Sequence, residues 1–249
     1  MRSDVERKFL VQADQYQFPY HYLPDLDHTG AVSTYKNLSW GLDYITYMHF
    51  ISHLIKNSLK PQSLLDVGCG DGRLLHMLQN DVPKLVGVDL VKQAVLFAKA
   101  FNPSARIYLC DVSQVPGQFD LAALVEVMEH IPDDAYPEFI NKVANRLNSN
   151  GKLLVSVPTT NLPLNKKHYR HYELSLLQEQ LSSAFQIEKY WYLTKNGRFY
   201  NLLRWLLQPT VAVIQPSSWR RIVWQLHQKY SYMASADNGR HLVALARLH

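Results

Sequence analysis

The chain has 249 residues, 47% of them hydrophobic and 19% charged, with a net charge of +5. That is enough for one large domain with a sizeable core, and it excludes a disordered or fibrous protein. The surplus of positive charge permits acidic partners but falls short of a strongly basic nucleic-acid binder.

Two cysteines, Cys69 and Cys110, are too few for a disulfide framework and fit a reducing compartment. The opening MRSDVERKFL places charges where a signal peptide needs an apolar core, and no apolar run reaches the ~18 residues of a spanning helix. The expected location is the cytoplasm.

Taken in chain order, residues 1–59 are expected to form an aromatic-rich helical lid. Nine aromatics fall within 16–50: Tyr16, Phe18, Tyr20, Tyr22, Tyr35, Trp40, Tyr44, Tyr47 and Phe50. The stretch WGLDYITYMHFISHLIKNSL has helical periodicity, so Ile45, Met48, Ile51 and Ile55 are expected to pack on a sheet. Tyr35, Trp40 and Tyr44 are then candidates to cover a substrate and exclude water.

Apolar runs at 63–68, 84–90, 105–112, 119–127 and 152–158 predict five strands, alternating with helix-like segments. The segment PDDAYPEFINKVANRLNSNG reads as a helix stopping at Asn150-Gly151. Continuous apolar strands between amphipathic helices mean a parallel sheet covered on both faces. Ligands of such sheets sit beyond the C-terminal ends of the strands. A basic loop, PTTNLPLNKKHYRHYELSLL (158–177), follows the fifth strand. Its His168 and Arg170 are candidates to bind substrate, and His171 is a candidate base. FQIEKYWYLT (185–194) and HLVALARLH (241–249) are the last strands. Between them, residues 197–239 read as a helical insert that caps the substrate, forms a dimer surface or, through 197–230, touches a membrane.

The most specific signal is LLDVGCGDGRLL. Asp66, Gly68, Gly70 and Gly72 lie on a strand–turn–helix in which glycines let a ligand approach the backbone. Arg73 stands where a nicotinamide fingerprint needs its third glycine, and Asp66 and Asp71 would repel a pyrophosphate. The same acids would welcome a cationic amine. Asp89 ends the second strand, where it can accept bonds from a ribose diol, and Asp111 ends the third. Asp111 also suits a simple helix cap. VEVMEHIP follows the fourth strand with Glu126, Glu129 and His130.

LLDVGCGDGRLL, LVGVDL, LCDV and FDLAALVEVMEHIP together resemble the successive motifs of class I S-adenosylmethionine-dependent methyltransferases, over about residues 60 to 195. The resemblance implies an α/β fold with a Rossmann-like, seven-stranded, mostly parallel sheet and an antiparallel last strand. It implies a core at 60–196 plus 240–249, and S-adenosylmethionine as cofactor. Asp66, Gly68 and Gly70 would hold the methionine end, Asp89 with Leu90 the ribose, Asp111 and Val112 the adenine, and Glu126 the sulfonium region. The E-x-x-E-H spacing of Glu126, Glu129 and His130 also resembles that of metal-using polyprenyl-benzoate O-methyltransferases and small-RNA 2′-O-methyltransferases. These three residues would then ligate Mg²⁺, Mn²⁺ or Zn²⁺. The available bases are His130, His168 and His171; without a metal His130 is the best placed, and Glu129 orients its neighbours. The expected reaction is O-methylation of a small or lipid-linked acceptor. An RNA acceptor or a non-catalytic cofactor-binding module is the alternative.

Overall fold

The computed structural model describes residues 6–9, 41–206 and 217–249. Each apolar run of the first half becomes a parallel strand: β1 (Ser63–Val67), β2 (Lys84–Asp89), β3 (Arg106–Leu109), β4 (Phe119–Val125) and β5 (Leu147–Pro158). The crossing helices are α2 (Arg73–Leu78), α3 (Lys92–Phe101) and α4 (Tyr136–Ala144), and α1 (Gly41–Leu54) precedes the first strand. Beyond β5 come α5 (Leu174–Leu181), β6 (Phe185–Lys195), α6 (Arg198–Leu206), α7 (Ser217–Tyr230), β7 (Met233–Ala234) and β8 (Gly239–Leu248). The sheet order is β3-β2-β1-β4-β5-β8-β6-β7. β1 to β5 pair in parallel, while β8 runs antiparallel to β5 and to β6. The order reverses between β1 and β4, so the crevice at their C-terminal ends is where a doubly wound sheet binds its ligand.

The parallel sheet and antiparallel last strand are as expected, but among the described residues the sheet has eight strands rather than seven. The extra one, β7, is two residues of the insert pairing with Tyr192 and Leu193. The helix expected to run to Asn150 ends at Ala144, and β5 already begins at Leu147, which pairs with Phe119. Leu147 is buried in the core, and a side chain at Gly151 would meet the Leu147 Cβ at 2.7 Å. The chain thus bulges between Leu147 and Lys152, which pair with Phe119 and Leu121, and it folds back on itself so that the leucine packs inward.

The sheet is covered by apolar clusters on both faces. One gathers Met128, Ile140, Leu177 and Leu181; the other gathers Tyr47, Met48, Ile51 and Ile55 of the first helical segment with Leu74, Leu75 and Leu78. Met48, Ile51 and Ile55 pack as expected, but Ile45 is 51% exposed. The buried seam of α1 runs through Asp43, Tyr47 and Ile51 at a four-residue spacing, and two residues back along a helix is the opposite side. A π-turn at Ile55–Leu59, closed by Lys60 in the left-handed region, links α1 to β1.

The insert is anchored to α1. Tyr200, Leu203 and Val223 pack with Leu42. Arg240 at the start of β8 holds the buried Asp43 carboxylate with both oxygens 3.0 Å from its Nε. His227, wholly buried, lies 2.7 Å from the Thr46 hydroxyl and 2.8 Å from that of Ser231. Thr46 already donates to the Leu42 carbonyl at 2.6 Å, so the ring donates to it through Nε2 and accepts from Ser231 through Nδ1. In the neutral form both ring nitrogens are satisfied. Burial pushes the His227 pKa down to about 4, against a smaller pull upward from Asp43.

In the unfolded chain this ring takes a proton near pH 6.5, so acid favours unfolding. The stabilisation is complete above pH 6.5 and is lost as the pH falls to about 4, amounting to about 3 kcal/mol. Thermal unfolding of the parent and of His227→Leu should therefore converge between pH 6.5 and 4; a difference that holds constant over that range would contradict it.

Candidate active site

Past the C-terminal ends of β1, β2 and β4 opens a cavity of about 870 Å³. Its floor is the turn after β1. Gly68, Gly70 and Gly72 all have positive φ, and a Cβ at Gly68 would sit 2.7 Å from Val127 Cγ2, so that turn accepts no side chain. Asp89 fixes it: one carboxylate oxygen accepts from the Gly70 N–H at 2.9 Å and the other from Val91 at 2.8 Å. Burial raises the pKa of Asp89, partly offset by those hydrogen bonds. Asp66 is more deeply buried; desolvation, followed by the charges of Asp89 and Asp71, pushes its pKa to about 8. Leu90, 61% exposed, and Val112 offer apolar surface to the same cavity. Such a crevice attracts a cationic ligand and repels a phosphate.

Asp111 also lines the cavity, and it caps the turn Val112–Gln114 by accepting from the Ser113 N–H and hydroxyl at 2.9 and 2.6 Å. Burial alone would raise its pKa, but those bonds and Lys142 bring it below the ordinary value.

VEVMEHIP does not start a helix. After β4 it forms a tight 3₁₀ turn, Met128–His130, preceded by Glu126 in the left-handed region at φ 56°. A non-glycine residue there stores about 1–3 kcal/mol of strain, which surrounding contacts must hold in place. The Glu126 carboxylate accepts from the Ser156 hydroxyl at 2.5 Å, and His241 Nδ1 lies 3.2 Å from its other oxygen. Burial would raise the Glu126 pKa, but His241 outweighs it and lowers the net value. Reciprocally, Glu126 overcomes desolvation and raises that of His241. The Tyr47 ring packs on His241 with centroids 4.9 Å apart.

The other half of the motif joins the loop after β5. Glu129 is 1% exposed, and its Oε2 has no hydrogen-bond partner among the described residues. Burial, then the charge of Glu126, raises its pKa well above the carboxylate range. His171 donates through Nδ1 to the Leu162 carbonyl at 3.1 Å, which leaves its Nε2 to accept from His168 Nδ1 at 2.9 Å. His130 donates through Nδ1 to the Lys167 carbonyl at 3.2 Å. Desolvation, first among several causes, lowers the pKa of His130 to about 4 and of His168 to about 2, and lowers that of His171 too. With the rings neutral, these bonds leave the Nε2 lone pairs of His130 and His168 unused. Ligand atoms of Glu129, His130 and His168 all lie within 4.8 Å of one another.

The expected metal set was Glu126, Glu129 and His130; the structure groups the last two with His168 and turns Glu126 toward Ser156 and His241. Arg170, expected to bind substrate, does not line the cavity. Its guanidinium reaches the carbonyls of Met128 and Ile131 at 3.2 and 2.7 Å and pairs with Asp133, bracing the turn from behind. Tyr44, His168 and His171 do line the cavity; Tyr35 and Trp40 lie outside the described residues. Sequence reading missed Ser156, His241, Lys8 and Phe9. Lys8 donates to the His168 carbonyl at 2.9 Å, and Phe9 borders the cavity. A histidine opening an otherwise apolar strand was the available signal for His241.

A doubly wound sheet with an antiparallel last strand, a glycine turn clamped by Asp89 and an acidic crevice define a class I S-adenosylmethionine-dependent methyltransferase. Residues 43–204 match the family model of a methyltransferase domain, and the chain belongs to that family. It is 32% identical over 97 residues to a ubiquinone biosynthesis O-methyltransferase of Albidiferax ferrireducens, an alignment covering 35% of this chain and 38% of that one. It is 33% identical over 110 residues to the protein of that description from Idiomarina loihiensis, covering 41% and 44%. The matches therefore span less than half the length of these curated relatives. In fold it is similar to magnesium protoporphyrin IX methyltransferase of Synechocystis PCC 6803, solved with its S-adenosylmethionine (TM-score 0.59, 14% identity, 99% and 98% of the two chains). It is also similar to the N-methyltransferase NodS of Bradyrhizobium japonicum WM9 bound to S-adenosylhomocysteine (TM-score 0.55, 15% identity, 86% and 99%).

Removing a charged hydrogen-bond partner costs about 1.5–3 kcal/mol. Asp89→Ala should thus weaken S-adenosylhomocysteine binding by about 10- to 100-fold in calorimetry, while NAD fails to bind the parent. Tight NAD binding would sink the reading of this crevice.

Proposed function

We propose that the protein methylates a hydroxyl oxygen of a small or lipid-linked molecule. The observation that carries this reading is the pair of unused imidazole lone pairs, His130 Nε2 and His168 Nε2, at the cavity wall beside Glu129. The relatives described as O-methyltransferases support it.

The bound cofactor supplies a methyl group already activated on a sulfonium. What this chain must do is hold the cofactor, align an acceptor oxygen and remove its proton. Asp66 and the Gly68–Gly70 turn would hold the cofactor's amino-acid end and Asp89 the ribose, while Leu90, Val112 and Asp111 would border the base. Glu126, kept ionised by His241, faces the sulfonium region with a negative charge. His130 Nε2 receives the hydroxyl proton, and its ring is held in the required tautomer by the Lys167 carbonyl. His171 does the same for His168. Tyr44 and Tyr47 of α1, with Leu162 and Pro163, shape the apolar side that receives the acceptor.

A second reading is favoured by one observation, the unpartnered, buried Oε2 of Glu129. One carboxylate and two imidazole nitrogens fit a divalent cation, whose charge would also restore the ionisation that burial denies Glu129. Held by Glu129, His130 and His168, such a cation would acidify the acceptor hydroxyl.

Turnover of methyl-labelled cofactor against hydroxylated aromatics, their amine counterparts and short RNAs tests the class of acceptor. Label on the hydroxylated aromatics is expected; transfer confined to amines or to RNA would overturn the proposal. With the acceptor in hand, activity that survives exhaustive chelation and falls at least 100-fold in His130→Ala identifies the base. Loss on chelation, restored by one divalent ion, identifies the cation.

A further inference from the structure

The segment 189–236 contains seven Lys and Arg residues and no Asp or Glu, leaving 19 basic against 21 acidic residues in the rest of the chain. The positive surplus of this protein therefore resides in one stretch, the one that carries α6 and α7. Both helices bury one seam, through Tyr200 and Leu203 on α6 and through Val223 and His227 on α7. Beside each buried seam runs a second apolar stripe that faces outward. On α6 it is Phe199, Leu202 and Trp205 at a three-residue spacing; on α7 it is Ile222, Leu226 and Tyr230 at a four-residue spacing. Phe199 at the start of α6 meets Tyr230 at the end of α7 with ring centroids 5.7 Å apart. The two stripes are thus joined into one exposed apolar face. Trp205 is 60% and Ile222 48% exposed. Arg198, Arg221 and Lys229 are exposed on the same two helices and pair with no acid among the described residues.

We infer that this face docks on a bilayer surface bearing anionic headgroups. A monomer rarely leaves so connected an apolar patch in water. The chemistry of its surroundings selects the occupant. A second copy related by a two-fold axis would oppose basic helices to identical basic helices, with no acid on either to offset the repulsion. A phosphate-bearing lipid surface instead supplies counter-charge to every exposed Arg and Lys, while aliphatic and aromatic side chains enter the interfacial layer. Trp and Tyr suit that layer because an apolar ring carries a polar edge. Among the described residues no helix is long and apolar enough to cross a membrane, so the contact is peripheral. Arg204 of α6 lines the cavity and its neighbour Trp205 points outward, so docking would bring the acceptor side of the cavity to the lipid surface.

The inference goes beyond the proposed chemistry and is tested apart from it. Full-length protein is sedimented with vesicles of equal parts phosphatidylglycerol and phosphatidylcholine, and with phosphatidylcholine alone. Binding to the anionic vesicles only, weakened by high salt, is expected. The double variant Trp205→Glu, Ile222→Glu should lower the vesicle affinity at least about tenfold. Neither side chain lines the cavity, so S-adenosylhomocysteine binding by calorimetry should be unchanged, which also shows that the variant is folded. Failure of the parent to sediment with anionic vesicles, or equal sedimentation of parent and variant, would overturn the inference. A concentration-dependent dimer abolished by the same variant, with no vesicle binding, would assign the face to a second copy instead. Loss of cofactor binding in the parent would overturn the methyltransferase site and leave the vesicle result standing.

Discussion

A carboxylate buried at the end of β4 needs a positive partner, and the arrangement of the cleft depends on how Glu126 finds one. His241 comes from β8, the last strand of the chain, and the two meet only because β8 inserts antiparallel beside β5. Each group shifts the other toward its charged form against the penalty of burial. The pair in turn justifies the left-handed backbone of Glu126, since the side chain is held from two sides by Ser156 and His241. Removing His241 would leave a strained residue with an uncompensated charge.

From that point the cleft divides into two electrostatic regimes. Toward β1 and β2 it is acidic: Asp66 is buried and crowded by Asp89 and Asp71, and a cationic ligand would relieve that crowding. Toward the loop after β5 it holds neutral histidines linked in a chain to main-chain carbonyls. A sulfonium cofactor suits the first regime and a weakly acidic hydroxyl the second. Glu126 sits at the boundary, near enough to both to influence Glu129 and His130.

The walls of the cavity come from outside the alternating core. α1 contributes Tyr44, Tyr47 and Met48, the helical residues 6–9 contribute Phe9, and the insert contributes Arg204. The Thr46–His227–Ser231 chain fastens the insert to α1, Asp43–Arg240 and the apolar seam fasten α1 to the sheet, and Lys8 ties residues 6–9 to the loop after β5.

The glycine turn, the acid ending β2 and the placing of VEVMEHIP at a strand end were legible in the sequence. They follow from local rules: a strand's period, a crossover helix and the absence of a Cβ where the backbone must turn. The helix expected to reach Asn150 was misjudged because its polar tail gave no sign that Leu147 pairs with Phe119. The partners of the site were not legible. His241 is 115 positions from Glu126, Lys8 is 160 from His168, and Arg170 turned out to brace a turn 39 to 42 positions earlier. Such pairings depend on strand order and register, which side-chain chemistry alone does not encode. The sequence by itself determined a cofactor crevice of a given charge. Only the tertiary structure decided which histidines keep a lone pair, because a ring's tautomer is set by the distant carbonyl it happens to face.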